Sequence, residues 1–275
     1  MNPGLRRSKI IATLGPASRD PAVLKELFTE GVNSFRLNCS HASLRELAQT
    51  VQDIRSASRS ARTPCAILLD LQGPRLRTGR LRNAEPVTLA KGGSVRITTR
   101  DIPGTEEEIS TNYRDLPRKV SKGARILLDD GSIELEVVRT HPEAVDCKVA
   151  VGGILKEHKG LNLPGVELDL PTLTPKDLQD LEAGLKLGVD YVALSFVKDA
   201  SSIQAARKVI QSKRSHALLI AKIERPEALA NIEEILSASD GIMVARGDLA
   251  VELSAPQVPI VQKELLTHAN RTGRM

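Results

Sequence analysis

Short apolar segments alternate with amphipathic segments along most of the chain, and this alternation restricts the possible folds more than any other feature. The apolar segments have the length and composition of buried strands: SKIIATLGP (8–16), VNSFRLNCS (32–40), CAILLDLQG (65–73), VDYVALSF (189–196), HALLIAKIE (216–224) and DGIMVARGD (240–248). The amphipathic segments have helical spacing: PAVLKELFTEG (21–31), SLRELAQTVQDIRSAS (43–58), PKDLQDLEAGLKLG (175–188), SSIQAARKVIQSK (201–213), PEALANIEEILSAS (226–239) and PQVPIVQKELLTHANRTG (256–273). Strands that are apolar on both faces and connected through helices indicate a parallel α/β sheet.

The repeat length favours a (β/α)8-type barrel. Each strand–helix unit takes roughly 25–30 residues, and in such a barrel the chemistry lies at the carboxyl ends of the strands. A doubly wound sheet is the alternative, but no GxGxxG motif follows the first strand and no GxxxxGK(S/T) phosphate loop occurs. Only six strands are predicted, so we expect an incomplete barrel, six of eight strands, with two exposed sheet edges.

The alternation stops between about residues 75 and 158, where the pattern becomes that of an all-β domain. PVTLAKGGSVRITT, ARILLDDGSIELEVV and AVDCKVAVGG are strand-like runs separated by turn residues. Asp130 and Gly131 lie between two alternating runs, which predicts a hairpin with a two-residue turn. We therefore predict a discontinuous barrel domain, residues 1–74 and 159–275, with an all-β domain, residues 75–158, inserted after the third strand as a lid.

Composition and cysteine spacing indicate in which cellular compartment the protein works. Hydrophobic residues make up 41% and charged residues 27% of the chain, as in ordinary soluble globular proteins, and no apolar run is long enough to span a bilayer. The amino terminus lacks the apolar core of a secretory signal. Cys39, Cys65 and Cys147 are widely spaced without a CxxC motif, which argues against disulfides and a zinc site. We expect a cytoplasmic protein without membrane contact.

The net charge of +5 raises the question of nucleic acid binding. Basic residues are dense at 55–62 and 73–82, but aromatic residues make up only 2% of the chain and no nucleic-acid motif is present. A small anionic substrate explains the second cluster equally well, and we expect no nucleic acid partner. Arg246, Gly247 and Asp248 also match a cell-adhesion tripeptide, but that function requires an exposed loop on a secreted protein.

Polar residues inside the predicted strands are candidates for a site. Arg36, Asn38 and Ser40 alternate with apolar residues, so they share one face of their strand. Burial without partners would be costly, so they should meet one another, water or a ligand; a purely structural network stays open. His41 is a candidate nucleotide contact, although a lone histidine at a strand end is more commonly an ordinary hydrogen-bonded residue.

Lys222 and Glu224 likewise share a face at the end of the fifth strand, and Asp248 ends the sixth. Because neighbouring parallel strands end at the same edge, we expect the two carboxylates to be close, as in a Mg²⁺ site that keeps room for water and phosphate. Arg36, Arg77 and Lys222 would add positive charge, which indicates phosphoryl or enolate chemistry. A structural Lys–Glu pair is the alternative.

The chain resembles the pyruvate kinase family. The matching segments are KIIATLGPAS, FRLNCSH, LLDLQGPRLRTG, ILLDDGSIELEV, HKGLNLPGVELDLP, LSFVKDAS, AKIE and SDGIMVARGDLAVE, which run in order from about residue 8 to residue 273. The resemblance implies transfer of the phosphoryl group of phosphoenolpyruvate to ADP, giving pyruvate and ATP in the last step of glycolysis. It also implies that the inserted β domain is a mobile lid.

The resemblance implies roles for individual residues as well. The implied catalytic residues are Lys222, which stabilises the phosphoryl group and the enolate oxygen, Arg36, which holds the phosphate, and Arg77. The implied ligands of Mg²⁺ or Mn²⁺ are Glu224 and Asp248; the implied substrate contacts are Arg36, Lys222, Ala245, Arg246, Gly247 and Asp248; the implied nucleotide contacts are Asn38, His41, Arg77 and Lys159; and the implied monovalent-cation ligands are Asn38, Ser40, Asp70 and the Leu71 carbonyl.

Two departures from the family pattern matter. Arg75 stands where potassium-dependent members carry Glu and potassium-independent members carry Lys, so we expect K⁺ to be dispensable. The chain ends at NRTGRM, where the family's seventh strand would begin, so the eighth strand, the C-terminal domain and a threonine implicated in protonating the enol carbon have no counterpart. We therefore expect a metal and phosphoenolpyruvate site that is mostly present, with weak or no turnover, in a fragment, a truncated product or a chain completed by a partner.

Other functions stay open at this point. One is a remnant that binds Mg²⁺ and phosphoenolpyruvate in a regulatory or partner-completed role. Another is a different barrel enzyme, such as a carbon–carbon lyase with similar Mg²⁺ carboxylates, although the inserted β domain and the ILLDDG hairpin argue against it. The sequence leaves any allosteric effector and the oligomeric state undetermined, and a homo-oligomer is compatible with it.

Overall fold

The computed structural model describes residues 8–40 and 42–275, so the predicted nucleotide contact His41 lies outside the described residues. The strands are β1 (Ile11–Thr13), β2 (Ser34–Asn38), β3 (Ala66–Asp70), β4 (Val87–Leu89), β5 (Ser94–Thr98), β6 (Glu108–Ser110), β7 (Arg125–Leu128), β8 (Ile133–Thr140), β9 (Ala144–Val151), β10 (Gly153–Leu155), β11 (Leu161–Asn162), β12 (Tyr191–Leu194), β13 (Leu218–Ile223) and β14 (Gly241–Val244). The helices are α1 (Pro21–Thr29), α2 (Leu44–Ala61), α3 (Leu116–Lys119), α4 (Pro175–Lys186), α5 (Ala200–Ser212), α6 (Pro226–Ala230), α7 (Ile232–Ala238), α8 (Arg246–Glu252) and α9 (Val258–Arg271).

Six of these strands form one curled parallel sheet, in the order β1-β2-β3-β12-β13-β14. β3 and β12 pair directly, with Asp70 opposite Ala193, although the insertion separates them in the sequence. The predicted α/β fold with an incomplete barrel is therefore confirmed. Because all six strands run in the same direction, their carboxyl ends lie along one edge.

Alternation along the central strands divides apolar packing from the polar site. Leu69, Val192 and Leu219 point into the main core, where the helices pack on the sheet. Residues next to them in sequence, such as Leu68 and Ala193, belong to a small separate cluster on the opposite face. That opposite face becomes polar towards the carboxyl edge of the sheet, which is where the predicted site residues lie.

Side-chain capping explains where the outer helices begin. The side chains of Asp20, Ser43, Thr174 and Asp199 accept backbone N–H groups in the first turns of α1, α2, α4 and α5. Ser43 and Glu46 form a reciprocal capping box at α2.

Within residues 8–40 and 42–275, no helix combines the length and apolar content that a membrane crossing would need.

A second sheet lies within the insertion. Its order is β11-β7-β8-β9-β5-β6, antiparallel except between β5 and β6, and β4 pairs separately with β10. It encloses a core of its own that includes Ile97, Ile126 and Leu135. β11 pairs with β7 and lies beyond residue 158, so the second sheet continues past the predicted end of the inserted domain.

The predicted hairpin is present, but its turn is longer than the sequence indicated. Leu128 pairs with Ile133, so four residues rather than two connect β7 and β8. Asp129, Asp130 and Gly131 have φ angles of 51°, 55° and 85°. Aspartate and glycine tolerate this left-handed region better than most residues, so the first aspartate joins the turn instead of extending the strand.

One strand and one helix also differ in extent from the sequence prediction. β14 ends at Val244 rather than at Asp248, because the chain turns into α8, in which Leu249 is completely buried. The segment 226–239, predicted as one helix, is divided into α6 and α7 at Asn231. The side-chain amide of Asn231 donates to the Lys198 carbonyl oxygen at 2.9 Å, which fixes the break.

We predict that Gly184→Ala destabilises the protein. A Cβ atom at Gly184 in α4 would lie 2.6 Å from Leu69 Cδ2, and Leu69 is fully buried in β3. Overpacking of this kind costs about 1–3 kcal/mol, more than the ~1 kcal/mol that alanine gains over glycine in a helix. Urea unfolding measures the change. Gly15→Ala is the matched control, because a Cβ atom added there would meet no described heavy atom within 4 Å; equal stability of the two variants would contradict the packing argument.

Candidate functional site

Buried charged side chains meet at the carboxyl edge of the parallel sheet. Asp70 ends β3, Lys222 lies near the end of β13, and Glu224 follows β13 directly. Their exposed fractions are 2%, 4% and 0%, so each charge must be compensated inside the protein. Lys222 and Glu224 share a face, as the alternation of the sequence predicted.

Arg36 of β2 neutralises Asp70 from the neighbouring strand. The register of β2 and β3 places Asn38 opposite Asp70. Arg36 precedes Asn38 by two residues in β2, so the two side chains share one face of the sheet. Arg36 Nε lies 2.6 Å and Nη2 lies 2.5 Å from Asp70 Oδ2. Arg36 Nη1 donates to Thr13 Oγ1 at 3.1 Å, which ties the guanidinium to β1 as well.

Lys222 is the centre of the charged cluster. Its Nζ atom lies 2.7 Å from Glu224 Oε1 and 3.3 Å from Asp70 Oδ1, and it donates to Ser195 Oγ at 2.7 Å. Neither carboxylate oxygen accepts a well-directed hydrogen bond from the described residues, so these two contacts are ion pairs. Both oxygens therefore keep lone pairs for a further partner.

Glu224 is held by the backbone after β12. Its Oε2 atom accepts the Phe196 N–H at 2.7 Å, and Phe196 has a φ angle of 54°, unusual for a bulky residue. Burial raises the pKa of Glu224, the charge of Asp248 raises it further, and the adjacent Lys222 acts in the opposite direction. The negative charge of Asp248 therefore acts on Glu224, and a cation bound by both carboxylates would offset it.

Asp248 reaches this region from α8 and not from the end of a strand. It lies in the first turn of that helix and is partly buried. Ala245 caps the start of the helix, and Arg246 and Gly247 are its first two residues and are exposed. The Ala245 N–H donates to the Ile223 carbonyl oxygen at 3.3 Å, so the turn stays attached to β13 beside Glu224.

The donor set fits a divalent cation with an incomplete protein shell. Glu224 Oε1 is buried and accepts no hydrogen bond from the described residues, and its carboxylate interacts with that of Asp248. Within residues 8–40 and 42–275, no group of three or more His, Cys, Asp or Glu side chains is arranged to hold a metal ion. A hard cation here would take its remaining ligands from water or a bound phosphate, as Mg²⁺ commonly does.

Three further basic residues predicted for the site, Arg75, Arg77 and Lys159, lie towards the insertion. Arg77 Nη1 donates to the His158 carbonyl oxygen at 2.7 Å, and Lys159 Nζ pairs with Asp129 at 2.9 Å. Burial lowers the pKa of Arg77, and the neighbouring charge of Arg75 lowers it further. None of the three forms an ion pair with the buried carboxylates of the cluster in the described part of the chain.

A small cavity (≈ 50 Å³) lies between the insertion and the parallel sheet. Arg75, Asp130 and Asn162 line one side, and Asp248 and Glu252 line the other. Asn162 Nδ2 donates to Glu252 Oε1 at 3.1 Å, so the two parts of the chain are joined by a hydrogen bond beside the predicted metal ligands.

Comparison with known proteins identifies the family. Residues 5–275 match the family model for the pyruvate kinase barrel domain. The chain belongs to the pyruvate kinase family. This confirms the resemblance inferred from the sequence motifs.

Individual relatives agree with this assignment. The chain is 42% identical to the pyruvate kinase of Thermococcus litoralis, covering 98% of this chain and 56% of the relative, and 44% identical to pyruvate kinase 2 of Synechocystis, covering 98% and 46%. The crystal structure of a pyruvate kinase from Cryptosporidium parvum superimposes with a TM-score of 0.92 at 35% identity, covering 98% of this chain and 56% of that one. The chain spans about half the length of the curated relatives it matches.

Three of the four residues expected to bind a monovalent cation already have an oxygen atom engaged by a protein donor. Asn38 Oδ1 accepts the Ser40 N–H at 3.0 Å, and the Leu71 carbonyl oxygen accepts the Ser195 hydroxyl at 2.7 Å. Asp70 Oδ2 is engaged by arginine, as described above. The four predicted ligands do lie near the carboxyl edge, and protein donors engage three of them, while Asp70 Oδ1 accepts no hydrogen bond from the described residues.

Arg75, the predicted internal replacement for K⁺, does not pair with Asp70 among the described residues. It forms no ion pair with any described carboxylate, and its Nε atom is buried without a hydrogen-bond partner among the described residues. Arg36 and Lys222 supply the positive charge at Asp70 instead. The reason is that Arg75 belongs to the segment leading into the insertion, where it lines the cavity beside Asp248.

Sequence reasoning missed three residues of this candidate site. Ser195 and Phe196 belong to the quoted LSFVKDAS segment, but apolar neighbours hide a single serine and a backbone N–H. Glu252 lies four residues after Asp248, a helical spacing that would have placed both acids on one face had α8 been predicted. These residues contact the site only through the tertiary packing of β12, β13 and α8, which no local sequence pattern records.

We predict that Glu252→Gln stabilises the protein at pH 8. Burial raises the pKa of Glu252 above the ordinary 4.5, so the wild-type protein loses stability as the pH rises from that ordinary value through the raised pKa. Glutamine keeps the acceptor for Asn162 and removes the charge, with an expected gain of about 0.5–1.5 kcal/mol at pH 8.

The gain should vanish below about pH 4, where the wild-type carboxyl is protonated in both the folded and the unfolded protein. Thermal unfolding in this acidic range and at pH 8 measures the difference, with the exposed Glu264→Gln as control. A variant that is less stable than the wild type at pH 8 would refute this account.

Proposed function

We propose that this chain provides the metal and phosphoenolpyruvate site of a pyruvate kinase, which transfers a phosphoryl group from phosphoenolpyruvate to ADP. The observation that carries the proposal is the cluster of Lys222, Glu224, Asp70 and Arg36 at the carboxyl edge of the sheet, together with Asp248, whose charge acts on Glu224. Membership of the pyruvate kinase family supports it. The reaction needs cations arranged in advance around a phosphate and an enolate, which is the type of cluster found here.

Glu224 and Asp248 are the proposed ligands of Mg²⁺ or Mn²⁺. Bound there, the ion would neutralise negative charge on the phosphate and the enolate oxygen. Burial keeps Glu224 from being satisfied by water, and the Phe196 N–H orients its second oxygen, so the free oxygen has a defined direction. Ala245, Arg246 and Gly247 lie at the exposed turn beside Asp248 and are proposed to receive the substrate carboxylate.

Lys222 and Arg36 are the proposed stabilisers of the transferring group. Lys222 is fixed by three partners, so its ammonium group does not need to reorganise when negative charge develops. Arg36 is held against Asp70 and is about 29% exposed, so part of the guanidinium remains accessible to a phosphate. Preorganised charge of this kind is commonly the largest single contribution to catalysis.

The nucleotide is proposed to bind between the parallel sheet and the insertion. Arg77 and Lys159 are the cations on the insertion side, and Asn38 is exposed at the end of β2. We propose that the insertion acts as a lid over this cleft, with the barrel domain formed by residues 1–74 and 159–275. The separate apolar core of the second sheet supports treating it as a domain. A cytoplasmic location is part of the same proposal.

We predict that the protein binds phosphoenolpyruvate in the presence of Mg²⁺ and that Glu224→Gln and Asp248→Asn each weaken this binding at least about tenfold. Removing one carboxylate deletes a charged ligand from a site with few protein ligands. Isothermal titration with Mg²⁺ and phosphoenolpyruvate measures the affinity, and Glu264→Gln is the control. Unchanged affinity in both site variants would disprove the metal assignment. A lactate-dehydrogenase-coupled assay on the same samples separates binding from turnover.

We predict that phosphoenolpyruvate binding does not require K⁺. Protein donors already engage Asn38, Asp70 and the Leu71 carbonyl, and two buried or partly buried cations compensate Asp70. Titrations in tetramethylammonium buffer and in K⁺ buffer should give affinities within about threefold, a difference below ~1 kcal/mol. Arg75→Glu tests whether the charge of Arg75 takes the place of K⁺. A new K⁺ requirement in this variant would support that role of Arg75. Strict K⁺ dependence of the wild-type protein would reject the prediction.

A further inference from the structure

Ser195 links three neighbouring strands at the charged cluster. It follows β12 directly and is 1% exposed. Its hydroxyl donates to the Leu71 carbonyl oxygen, after β3, at 2.7 Å, and it accepts from Lys222 Nζ, on β13, at 2.7 Å. The three groups form a continuous chain of hydrogen bonds across the carboxyl ends of β3, β12 and β13.

The chemistry of a hydroxyl group gives this chain a direction. A serine hydroxyl has one proton to donate, and the Leu71 carbonyl oxygen has none, so that contact uses the serine proton. Towards Lys222 the serine oxygen can therefore only accept. The Lys222 ammonium group must be the donor of that hydrogen bond. An acceptor of fixed orientation therefore lies beside the ammonium group.

Lys222 has three ammonium protons and three acceptors around it. Two acceptors are the carboxylates of Glu224 and Asp70, at 2.7 and 3.3 Å, and the third is Ser195. The two carboxylates supply charge compensation, but neither contact is a well-directed hydrogen bond. The directed hydrogen bond of the ammonium group is the one to Ser195.

Close packing holds the serine in place. A Cβ atom at Gly73 would lie 3.0 Å from Ser195 Cβ and 2.8 Å from the Phe196 ring, so the adjacent backbone approaches this position closely. The Leu71 N–H also donates to the Ala193 carbonyl oxygen at 3.0 Å, which fixes the carbonyl that Ser195 contacts. The hydroxyl thus has little freedom to rotate away from Lys222.

We propose that Ser195 is a positioning residue that fixes the direction of the Lys222 ammonium group. This inference rests on the proposed function in one respect only: the fixed ammonium group is the one assigned to the transferring phosphoryl group. Ser195 acts through Lys222 and does not itself contact substrate. Its loss should leave the charges of the cluster unchanged and release the orientation of the lysine.

Nuclear magnetic resonance of ¹⁵N-lysine-labelled protein tests the orientation directly. A directed, buried ammonium group should give a slowly exchanging signal, assigned by its absence in Lys222→Arg. We expect this signal to disappear in Ser195→Ala and in Ser195→Cys, whose thiol is a weak acceptor, and to persist in Ser195→Thr. Ser239→Ala is the matched control, because Ser239 is equally buried and its hydroxyl has no hydrogen-bond partner among the described residues.

Phosphoenolpyruvate titration in the presence of Mg²⁺ adds the functional readout. We expect Ser195→Ala to weaken binding about tenfold, Ser195→Thr to restore it to within about threefold, and Ser239→Ala to bind like the wild type. Ser195→Cys keeps the side-chain volume and covers the case in which the alanine variant does not fold.

Different outcomes separate the two proposals. A persistent Lys222 signal in a folded Ser195→Ala or Ser195→Cys protein would overturn the positioning role, as would its loss in Ser195→Thr. If the wild-type protein does not bind phosphoenolpyruvate, the proposed function fails, and the lysine signal still decides the role of Ser195.

Discussion

The buried Lys222 ammonium group, paired with Glu224 and Asp70, holds the charged cluster together. Arg36 completes the cluster, so two buried or partly buried bases face two buried acids. Removal of one partner from a buried ion pair leaves an uncompensated charge, at a cost of about 3–5 kcal/mol. The strands that carry these residues must therefore keep their register, and β2, β3, β12 and β13 do so as direct neighbours in one parallel sheet.

The same arrangement explains why the site has room for ligands. The apolar alternate residues of the strands pack under the helices, which leaves the opposite face at the carboxyl edge to polar groups. Asp248 approaches this edge from α8, and the insertion approaches from the other side of a small cavity. The Asn162–Glu252 hydrogen bond joins these two sides, so the position of the insertion and the surroundings of the proposed metal site are physically connected.

Much of this architecture could be predicted from residue patterns. The strand–helix alternation led to the parallel sheet, and period-two alternation placed Lys222 and Glu224 on one face. Local patterns were less reliable where tertiary packing decides a boundary. The run 240–248 reads as one strand, but the strand ends at Val244, where the chain turns into the helix that buries Leu249. A left-handed conformation at Asp129 likewise lengthened the predicted two-residue turn.

The fold class, the family and the identity of the buried acids and bases follow from the residue order, because periodicity and motif order are properties of the chain alone. Which of these groups contact one another depends on how the strands assemble. The tertiary structure paired Asp70 with Arg36 and Lys222 and left Arg75 at the cavity, and it brought Ser195 to Lys222. The physical reason is that β3 and β12 are neighbours in space but are separated in the chain by the whole insertion, so no local pattern records their contact.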